Sequence, residues 1–178
     1  NGLNNPSMTN QIGWGGYFEW GMSADKKTHC YTNHTGSTKK SSQFYERYFY
    51  PAIFNNFAAR MDWADKGNGN RNPIVIVNKQ KGLKAIHLKA CPGEIKNLDA
   101  SRSYDMDGDQ LTYCWWYLPE AGSYKGNNIV IQNTDQAKAT LTIPAESKPG
   151  DTLHIICEVT DNGTPALTSY KRIIVTVK

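Results

Sequence analysis

The chain has 178 residues, of which 20% are charged and 11% are aromatic, and its formal net charge is +4. This length suits one ordinary domain with an appendage, or two small domains. The basic residues are dispersed and match no nucleic-acid reader motif, and no long apolar run marks a membrane span. We therefore expect neither a nucleic acid nor a membrane as a partner. Because the chain starts at Asn1, we expect a processed product or a piece of a longer protein.

The cysteines are even in number but form no CxxC pair, which makes a zinc site unexpected. They are Cys30, Cys91, Cys114 and Cys157. Cys114 and Cys157 fall in two different predicted strands, so a disulfide between two sheets is one alternative. The two-residue alternation of a strand opposes it, because Cys114 faces outward if Trp115 faces the core, whereas Cys157 faces inward. The pattern favours free thiols.

The first 66 residues combine an aromatic-rich loop with a helical segment. Polar turn formers dominate residues 1–40, and a helical pattern then covers about residues 42–64, with Ser42 as its predicted N-cap. Pro51 is predicted to stop or kink the helix, and Ile53, Phe54, Phe57 and Met61 are predicted to share one face of the helical stretch after it. More than half of the twenty aromatic residues lie here, so we expect this segment to pack against another part of the protein.

The remainder of the chain predicts a mainly β domain. Residues 67–73 are rich in Gly and Asn and are typical of a linker, and residues 74–178 contain turn signals between short strand-like segments. The predicted strands are residues 74–77, 84–89, 94–98, 111–118, 128–132, 139–143, 153–160 and 170–177. Short strands at this spacing, with no helix pattern among them, indicate an Ig-like antiparallel β-sandwich.

Several strings of residues carry a resemblance to known modules. Residues 98–101 (LDAS), 105–113 (DMDGDQLTY) and 158–165 (EVTDNGTP) resemble polycystic-kidney-disease-type and cadherin-like Ig domains. The closer resemblance uses residues 13–16 (GWGG), 57–63 (FAARMDW) and 115–122 (WWYLPEAG). These resemble the C-terminal part of a bacterial family described as cellulose-binding, in which a nucleoside-hydrolase-like domain precedes an Ig-like domain.

This resemblance implies a domain division and a context. Residues 1–66 would be the tail of the hydrolase-like domain, which becomes an intramolecular partner, and residues 74–178 would be the whole Ig-like domain. It implies a secreted or periplasmic bacterial protein with a polysaccharide as a possible ligand. The chain departs from nucleoside hydrolases in having no DxDxxxDD motif, the acidic motif that holds calcium and the pentose in those enzymes.

The acidic turn suggests a metal site and also has a simpler explanation. Asp105, Asp107 and Asp109 alternate around a glycine, as oxygen ligands do in the first half of a calcium loop. No acidic residue stands at the closing position of such a loop, where Trp116 is found. Asp side chains also bond to nearby amides in plain turns. The turn is favoured over calcium, for which Asp99 or Asp161 are possible additional ligands, and no other cofactor is indicated.

Exposed aromatic residues suggest a sugar-binding platform. Trp115 is predicted to be the core tryptophan of the sandwich, which leaves Trp116 facing outward. Tyr117, Tyr124, Trp14 and Trp20 are the candidates that extend a carbohydrate-binding platform from Trp116. The alternative is that Trp116 is the surface on which the N-terminal segment docks, because exposed aromatics mark either kind of contact.

No catalytic constellation is visible in the sequence. The histidines, His29, His34, His87 and His154, are scattered, and no Gly-x-Ser-x-Gly elbow occurs. We therefore predict a noncatalytic C-terminal module of a secreted carbohydrate-associated protein, which binds cellulose or a related glycan. The alternative is a structural module without a ligand that packs on, or dimerises, a hydrolase domain.

Overall fold

A computed structural model describes residues 2–3, 12–33 and 36–178 of the chain. Eleven strands, one α-helix and one short 3₁₀ helix occur among them. In chain order they are β1 (Glu19–Met22), β2 (His29–Thr32), α1 (Gly36–Lys66), β3 (Ile76–Val77), β4 (Gln80–Lys81), β5 (Ile86–Ala90), β6 (Ile95–Asp99), β7 (Leu111–Tyr117), the 3₁₀ helix (Pro119–Ala121), β8 (Val130–Gln132), β9 (Lys138–Thr142), β10 (Thr152–Asp161) and β11 (Thr168–Val177).

Two sheets form the sandwich, which confirms the mainly β, Ig-like fold. The larger sheet has the strand order β5-β11-β10-β7, and the smaller has the order β6-β9-β8. Neighbouring strands are antiparallel except for β5 and β11, which are parallel. No hairpin joins these two strands, since they lie near opposite ends of the domain's sequence, and so no tight turn dictates their direction.

The core lies between the two sheets and follows the two-residue period of the strands. Leu98 and Leu141 from the smaller sheet are fully buried with Trp115, Ile155 and Val175 from the larger one. Tyr113 and Tyr117 pack against this core from the same face of β7 as Trp115, as the alternation predicts. Cys157 is buried and Cys114 is exposed, also as predicted, and all four cysteines are free thiols.

A second apolar cluster covers the outer face of the larger sheet, and we call it the outer cluster. It joins the N-terminal segment and helix α1 to strands β10 and β11 and to the end of β7. Its buried members are Leu3, Ile12, Tyr45, Phe49, Leu118, Ile156 and Tyr170. The aromatic N-terminal segment therefore buries part of its apolar surface on the sandwich.

Helix α1 differs from the prediction in its length and in its buried face. It begins at Gly36 and passes through Pro51 without ending. Tyr45, Phe49 and Ile53 pack against the sheet on both sides of that proline, and this burial outweighs the roughly 3 kcal/mol that an interior proline costs. Ser42 is an interior residue of the helix and not its N-cap. Its hydroxyl accepts a hydrogen bond from the Tyr17 amide at 3.1 Å.

The predicted apolar face of the helix is largely exposed instead of buried. Phe54, Phe57 and Met61 are each about half exposed, whereas Ile53 packs on the outer cluster. The described part of the chain contains no helix that combines the length and the apolar composition needed to cross a bilayer.

Residues between the helix and the sandwich are bonded to the β10–β11 connection. The Asn70 amide donates to Asp161 Oδ1 and to the Pro165 carbonyl, both at 2.9 Å. The Asn72 amide donates to the Thr168 carbonyl at 3.2 Å. These bonds attach the stretch predicted as a linker to the end of the larger sheet.

Candidate functional site

Trp116 lies beneath helix α1. Its ring is 5.7 Å from the ring of Tyr48 and 6.3 Å from that of Phe49, measured between centroids. Its indole N–H and the Tyr48 hydroxyl both donate to Glu158 Oε2, at 3.2 and 2.9 Å. Burial raises the pKa of Glu158, and these two hydrogen bonds oppose the rise. This placement matches the alternative in which the N-terminal segment docks on Trp116.

Tyr117 and Tyr124 are engaged within the sandwich. The Tyr117 hydroxyl donates to the Tyr124 carbonyl at 3.1 Å, and its ring packs on the core. Tyr124 is buried, and its hydroxyl donates to Glu146 Oε1 at 2.8 Å. Tyr124 does not extend a platform from Trp116, whereas Tyr117 lines a depression of about 240 Å³ together with Trp116, Phe44, Tyr45 and Tyr48.

Trp20 is the most exposed tryptophan among the described residues, at 63%. It lies on the β1–β2 hairpin directly opposite Tyr31, which is 47% exposed. The Trp20 centroid is 5.2 Å from the Tyr31 centroid and 6.3 Å from the ring of His29, which it stacks against at 22°. We call Trp20, His29 and Tyr31 the hairpin aromatic face.

The hairpin keeps these rings on one side because of its register and its turn. Side chains directly opposite and diagonal to one another across an antiparallel pair lie on the same face. The Asp25 carboxylate accepts hydrogen bonds from the Ser23 hydroxyl at 2.5 Å and from the Lys27 amide at 3.2 Å, which closes the turn. The sequence pattern singled out Trp20 but not Tyr31 or His29. The two-residue spacing of His29 and Tyr31 along one strand is the signal that could have identified them.

Trp14 lies apart from the hairpin aromatic face, at the mouth of a cleft. Its ring meets the buried Tyr170 edge to face, with centroids 6.5 Å apart. Gly13 and Gly16 exchange backbone hydrogen bonds of 3.1 and 3.0 Å around it. Gly16 has a φ of +95°, and a Cβ there would come within 2.3 Å of the Ser42 hydroxyl, so this turn requires glycine.

The acidic turn is closed by its own hydrogen bonds and by an arginine. The Asp107 amide donates to Asp105 Oδ1 at 2.7 Å. The Asp107 carboxylate accepts from the Arg71 amide at 2.8 Å and from Arg71 Nη1 at 3.0 Å. Asp99 accepts from Ser101 and pairs with Lys138 at 3.5 Å. Asp107 and Asp99 are therefore already occupied by partners.

Other oxygens near this turn have no partner. Asp161 is 3% exposed, and its Oδ1 accepts from Asn70, Gly163 and Leu167 while its Oδ2 is unpaired. Asp105 Oδ2 and Asn70 Oδ1 are also buried without a partner. Burial raises the pKa of Asp109, and the charges of Asp105 and Asp161 raise it further. Within residues 2–3, 12–33 and 36–178, no three acidic, histidine or cysteine side chains are already gathered around a metal position.

The histidines lie on separate elements. His29 is on the hairpin, while His87 and His154 lie on β5 and β10, and His34 lies outside the described residues. Burial lowers the pKa of His154 to about 4, with the charge of Arg172 contributing. Its Nδ1 atom has no hydrogen-bond partner among the described residues, and none of their carboxylates orients this imidazole as a general base.

Together, the fold and these surfaces define an Ig-like sandwich module that carries an aromatic N-terminal segment. Residues 96–177 match the family model described as the C-terminal domain of cellulose-binding protein Sde0182. The resemblance to the C-terminal part of a family described as cellulose-binding is thereby confirmed. No protein with a curated description matches the chain.

Two solved structures complete the comparison. A nucleoside hydrolase-related hypothetical protein from Saccharophagus degradans, associated with carbohydrate metabolism, is 37% identical with a TM-score of 0.81. The match covers 99% of this chain and 44% of that one, so this chain spans less than half of that protein's length. The PKD domain from KIAA 1837 protein is 23% identical over 53% of this chain and 79% of that one, with a TM-score of 0.37, a likeness too weak to support a conclusion.

Proposed function

We propose that this chain is a noncatalytic C-terminal module that attaches a secreted or periplasmic carbohydrate-associated protein to cellulose or a related glycan. The matching family and the S. degradans relative support the carbohydrate context. The observation that carries the proposal is the hairpin aromatic face, on which Trp20 is 63% exposed. The pyranose rings of a polysaccharide present apolar C–H faces, which a flat and rigid indole covers at low conformational-entropy cost.

The neighbours of Trp20 strengthen this assignment. Tyr31 meets the indole at 63°, so the two rings form an angled surface instead of a single plane. Their polar atoms, together with the imidazole of His29, supply hydrogen-bonding groups at the edge of an apolar contact. This combination of apolar rings with a few polar groups is typical of sites that fix the orientation of a small ligand.

Trp20→Ala is expected to weaken glycan binding about thirtyfold, because truncating a tryptophan anchor costs about 2 kcal/mol. The measurement is affinity electrophoresis in gels that contain hydroxyethyl cellulose or xylan. Phe54→Ala is the matched control, since Phe54 is a similarly exposed aromatic residue on helix α1. Unretarded migration of the wild-type chain on every glycan would remove the proposal.

A second candidate function is favoured by the exposed face of helix α1. Tyr50, Phe54, Phe57 and Met61 are 49–62% exposed and succeed one another at spacings of four, three and four residues. This is the spacing at which one helix packs against another. The occupant that fits is a hydrolase-like domain of the same polypeptide, of which residues 1–66 would be the tail, because the S. degradans relative extends well beyond this chain.

The same affinity electrophoresis distinguishes the glycan-binding module from the purely structural module. A purely structural module needs no ligand, so it predicts that neither wild type nor Trp20→Ala is retarded by any glycan. It also predicts that the exposed helix face promotes self-association of the isolated chain. The Phe54→Ala/Phe57→Ala variant is then expected to self-associate less than wild type, as measured by light scattering.

We also propose a calcium site with a ligand set revised from the one that the sequence suggested. The set is Asp105, Asp109, Asp161 and Asn70, without Asp107, which pairs with Arg71. These side chains must close in on the ion when it binds, because no three acidic groups of the described residues are gathered at a metal position in its absence. The support is that Asp105, Asp161 and Asn70 each present a buried oxygen without a partner. Calcium takes carboxylate and amide oxygens in flexible geometry, and an uncompensated buried carboxylate is costly.

Calcium is expected to stabilise the wild-type chain and to have no effect on Asp161→Asn. At a concentration 100-fold above its dissociation constant, calcium would add about 2.7 kcal/mol to the free energy of unfolding. Urea denaturation with calcium and with a chelator measures this difference. Asp107→Asn serves as the control and keeps the response. If Asp107→Asn abolished the stabilisation by calcium while Asp161→Asn did not, the revised ligand set would be wrong.

A further inference from the structure

The cleft beside Trp14 is a second concave surface, separate from the hairpin aromatic face. Its volume is about 440 Å³, which lies within the range of small-ligand sites. It lies between the Gly13–Gly16 turn, helix α1, the stretch before β3, the end of β4 and the start of β11. The lining residues that bear on its chemistry are Trp14, Asn56, Arg60, Asn72, Lys81 and Tyr170.

The charged residues described around this cleft are cations. Arg60 and Lys81 line it, and none of the described lining residues is an aspartate or a glutamate. Arg60 Nε donates to Asn56 Oδ1 at 2.9 Å, which leaves the two terminal nitrogens of its guanidinium available. Lys81 Nζ donates to the neutral Tyr104 hydroxyl at 2.9 Å. Neither cation forms an ion pair with a residue of the described ranges.

The wall of the cleft also carries polar atoms without partners. The indole nitrogen of Trp14 and the hydroxyl of Tyr170 are buried, and neither meets a hydrogen-bond partner of normal geometry among the described residues. Their rings are in contact, with centroids 6.5 Å apart, and the indole N–H opposes the rise that burial produces in the pKa of Tyr170. An indole N–H can only donate, and a buried donor without an acceptor is unfavourable. Because both atoms are fully buried, they lie behind the surface of the cleft, and a ligand contacts the rings and not these atoms.

The opposite side of the cleft is held in place by amide groups. The Asn56 amide donates to Asn72 Oδ1 at 3.0 Å, and the Asn72 amide donates in turn to the Thr168 carbonyl at 3.2 Å. This chain of hydrogen bonds joins helix α1 to β11 and fixes Asn56, which orients Arg60. The guanidinium is thereby directed by its neighbour instead of moving freely in solvent.

We propose that this cleft binds a uronate unit, a carboxylate-bearing sugar, of an acidic polysaccharide. The free edge of the Arg60 guanidinium pairs with the carboxylate, Lys81 adds positive charge, and the Trp14 ring lines the wall against the sugar. A planar guanidinium matches a carboxylate through two parallel hydrogen bonds, which a neutral sugar cannot form. The inference extends the ligands of this module from neutral glycans to acidic ones.

A sugar fits these observations better than a nucleic acid. Binding along a phosphate backbone uses a stripe of many basic residues, whereas this cleft contributes two. The aromatic group at its mouth stands edge to face against Tyr170, so it does not present a stack of parallel rings for successive bases. Single-stranded DNA is therefore included in the test as a competing ligand.

The test compares polygalacturonate with its fully methyl-esterified form, which has the same backbone without the charge. Affinity electrophoresis is expected to show retardation by the charged polymer and at least tenfold weaker binding for Arg60→Gln. Arg102→Gln, a change of the same charge at an exposed position outside the cleft, is the control and keeps the wild-type retardation.

A second measurement locates the ligand independently of affinity. The Trp14 indole N–H resonance, assigned with Trp14→Phe, is expected to shift on titration with galacturonate and to stay in place with galactose. Equal binding of the esterified polymer, equal binding of single-stranded DNA, or unchanged binding by Arg60→Gln would overturn the proposal. Because none of these readouts involves Trp20, failure of the hairpin aromatic face to bind neutral glycans would leave this result unaffected.

Discussion

Trp115→Ala is expected to lower the free energy of unfolding by about 3–5 kcal/mol, which is the cost of emptying a large buried aromatic site. Trp115 is 2% exposed and lies in the core between both sheets. Its indole N–H donates to the Gln136 carbonyl at 2.8 Å, and that carbonyl would lose its partner in the variant. Both the cavity and the lost hydrogen bond lower the free energy of unfolding.

The neighbouring tryptophan gives the comparison. Trp116→Ala is expected to cost about 1–3 kcal/mol, because its ring packs only between the sandwich and helix α1 and one donor to Glu158 is lost. Urea denaturation followed by far-ultraviolet circular dichroism measures both variants, with the exposed Trp20→Ala expected within about 0.5 kcal/mol of wild type. An effect of Trp116→Ala as large as that of Trp115→Ala would contradict the assignment of one ring to the core and the other to the interface.

Acidification from pH 6.5 to pH 4 is expected to cost about 3 kcal/mol of stability through His154. Its pKa in the folded chain is lowered to about 4, by burial first and then by the charges of Arg172 and His87. In the unfolded chain His154 takes up its proton near pH 6.5, while the folded chain does not until about pH 4. Protons therefore bind preferentially to the unfolded chain within this window, and stability falls as the pH falls.

The measurement is a series of urea denaturations between pH 7 and pH 4 for wild type and His154→Leu. The variant is expected to lose less stability than wild type across the window. Glu158 acts in the opposite direction, because its raised pKa favours proton uptake by the folded chain, so the difference between the two proteins isolates His154. His29→Leu, on the exposed hairpin, is the control, and a wild-type pH dependence in His154→Leu would contradict the assignment.

The two candidate ligand surfaces and the exposed helix face use different residues, and the cleft and the helix face are neighbours on α1. The hairpin aromatic face lies on β1 and β2, the cleft lies beside Trp14, and the exposed apolar stripe runs along α1. Attachment to a glycan and packing on a second domain therefore need not compete for the same residues.

Local pattern alone was sufficient for the strands of the two packed sheets, β5 to β11, and for the inward and outward faces of β7 and β10. Trp115 and Cys157 are buried and Cys114 is exposed because side chains alternate along a strand, whatever the strand packs against. The course of α1 through Pro51 could not be predicted in this way. Whether a proline ends a helix depends on the packing on both sides of it, and here the outer cluster supplies that packing.

The candidate site residues also divide into features that a short stretch of sequence predicts and contacts that depend on distant residues. The sequence favoured a turn at Asp105, Asp107 and Asp109 and predicted that Trp116 points away from the core. The contacts of these residues became visible only in the folded chain. Asp107 pairs with Arg71, Asp161 lies close enough to Asp109 to raise its pKa, and Trp116 is covered by Tyr45, Tyr48 and Phe49. These contacts join residues 36 to 71 positions apart. No periodicity within a short window carries information about such contacts, since the packing of whole elements brings them together.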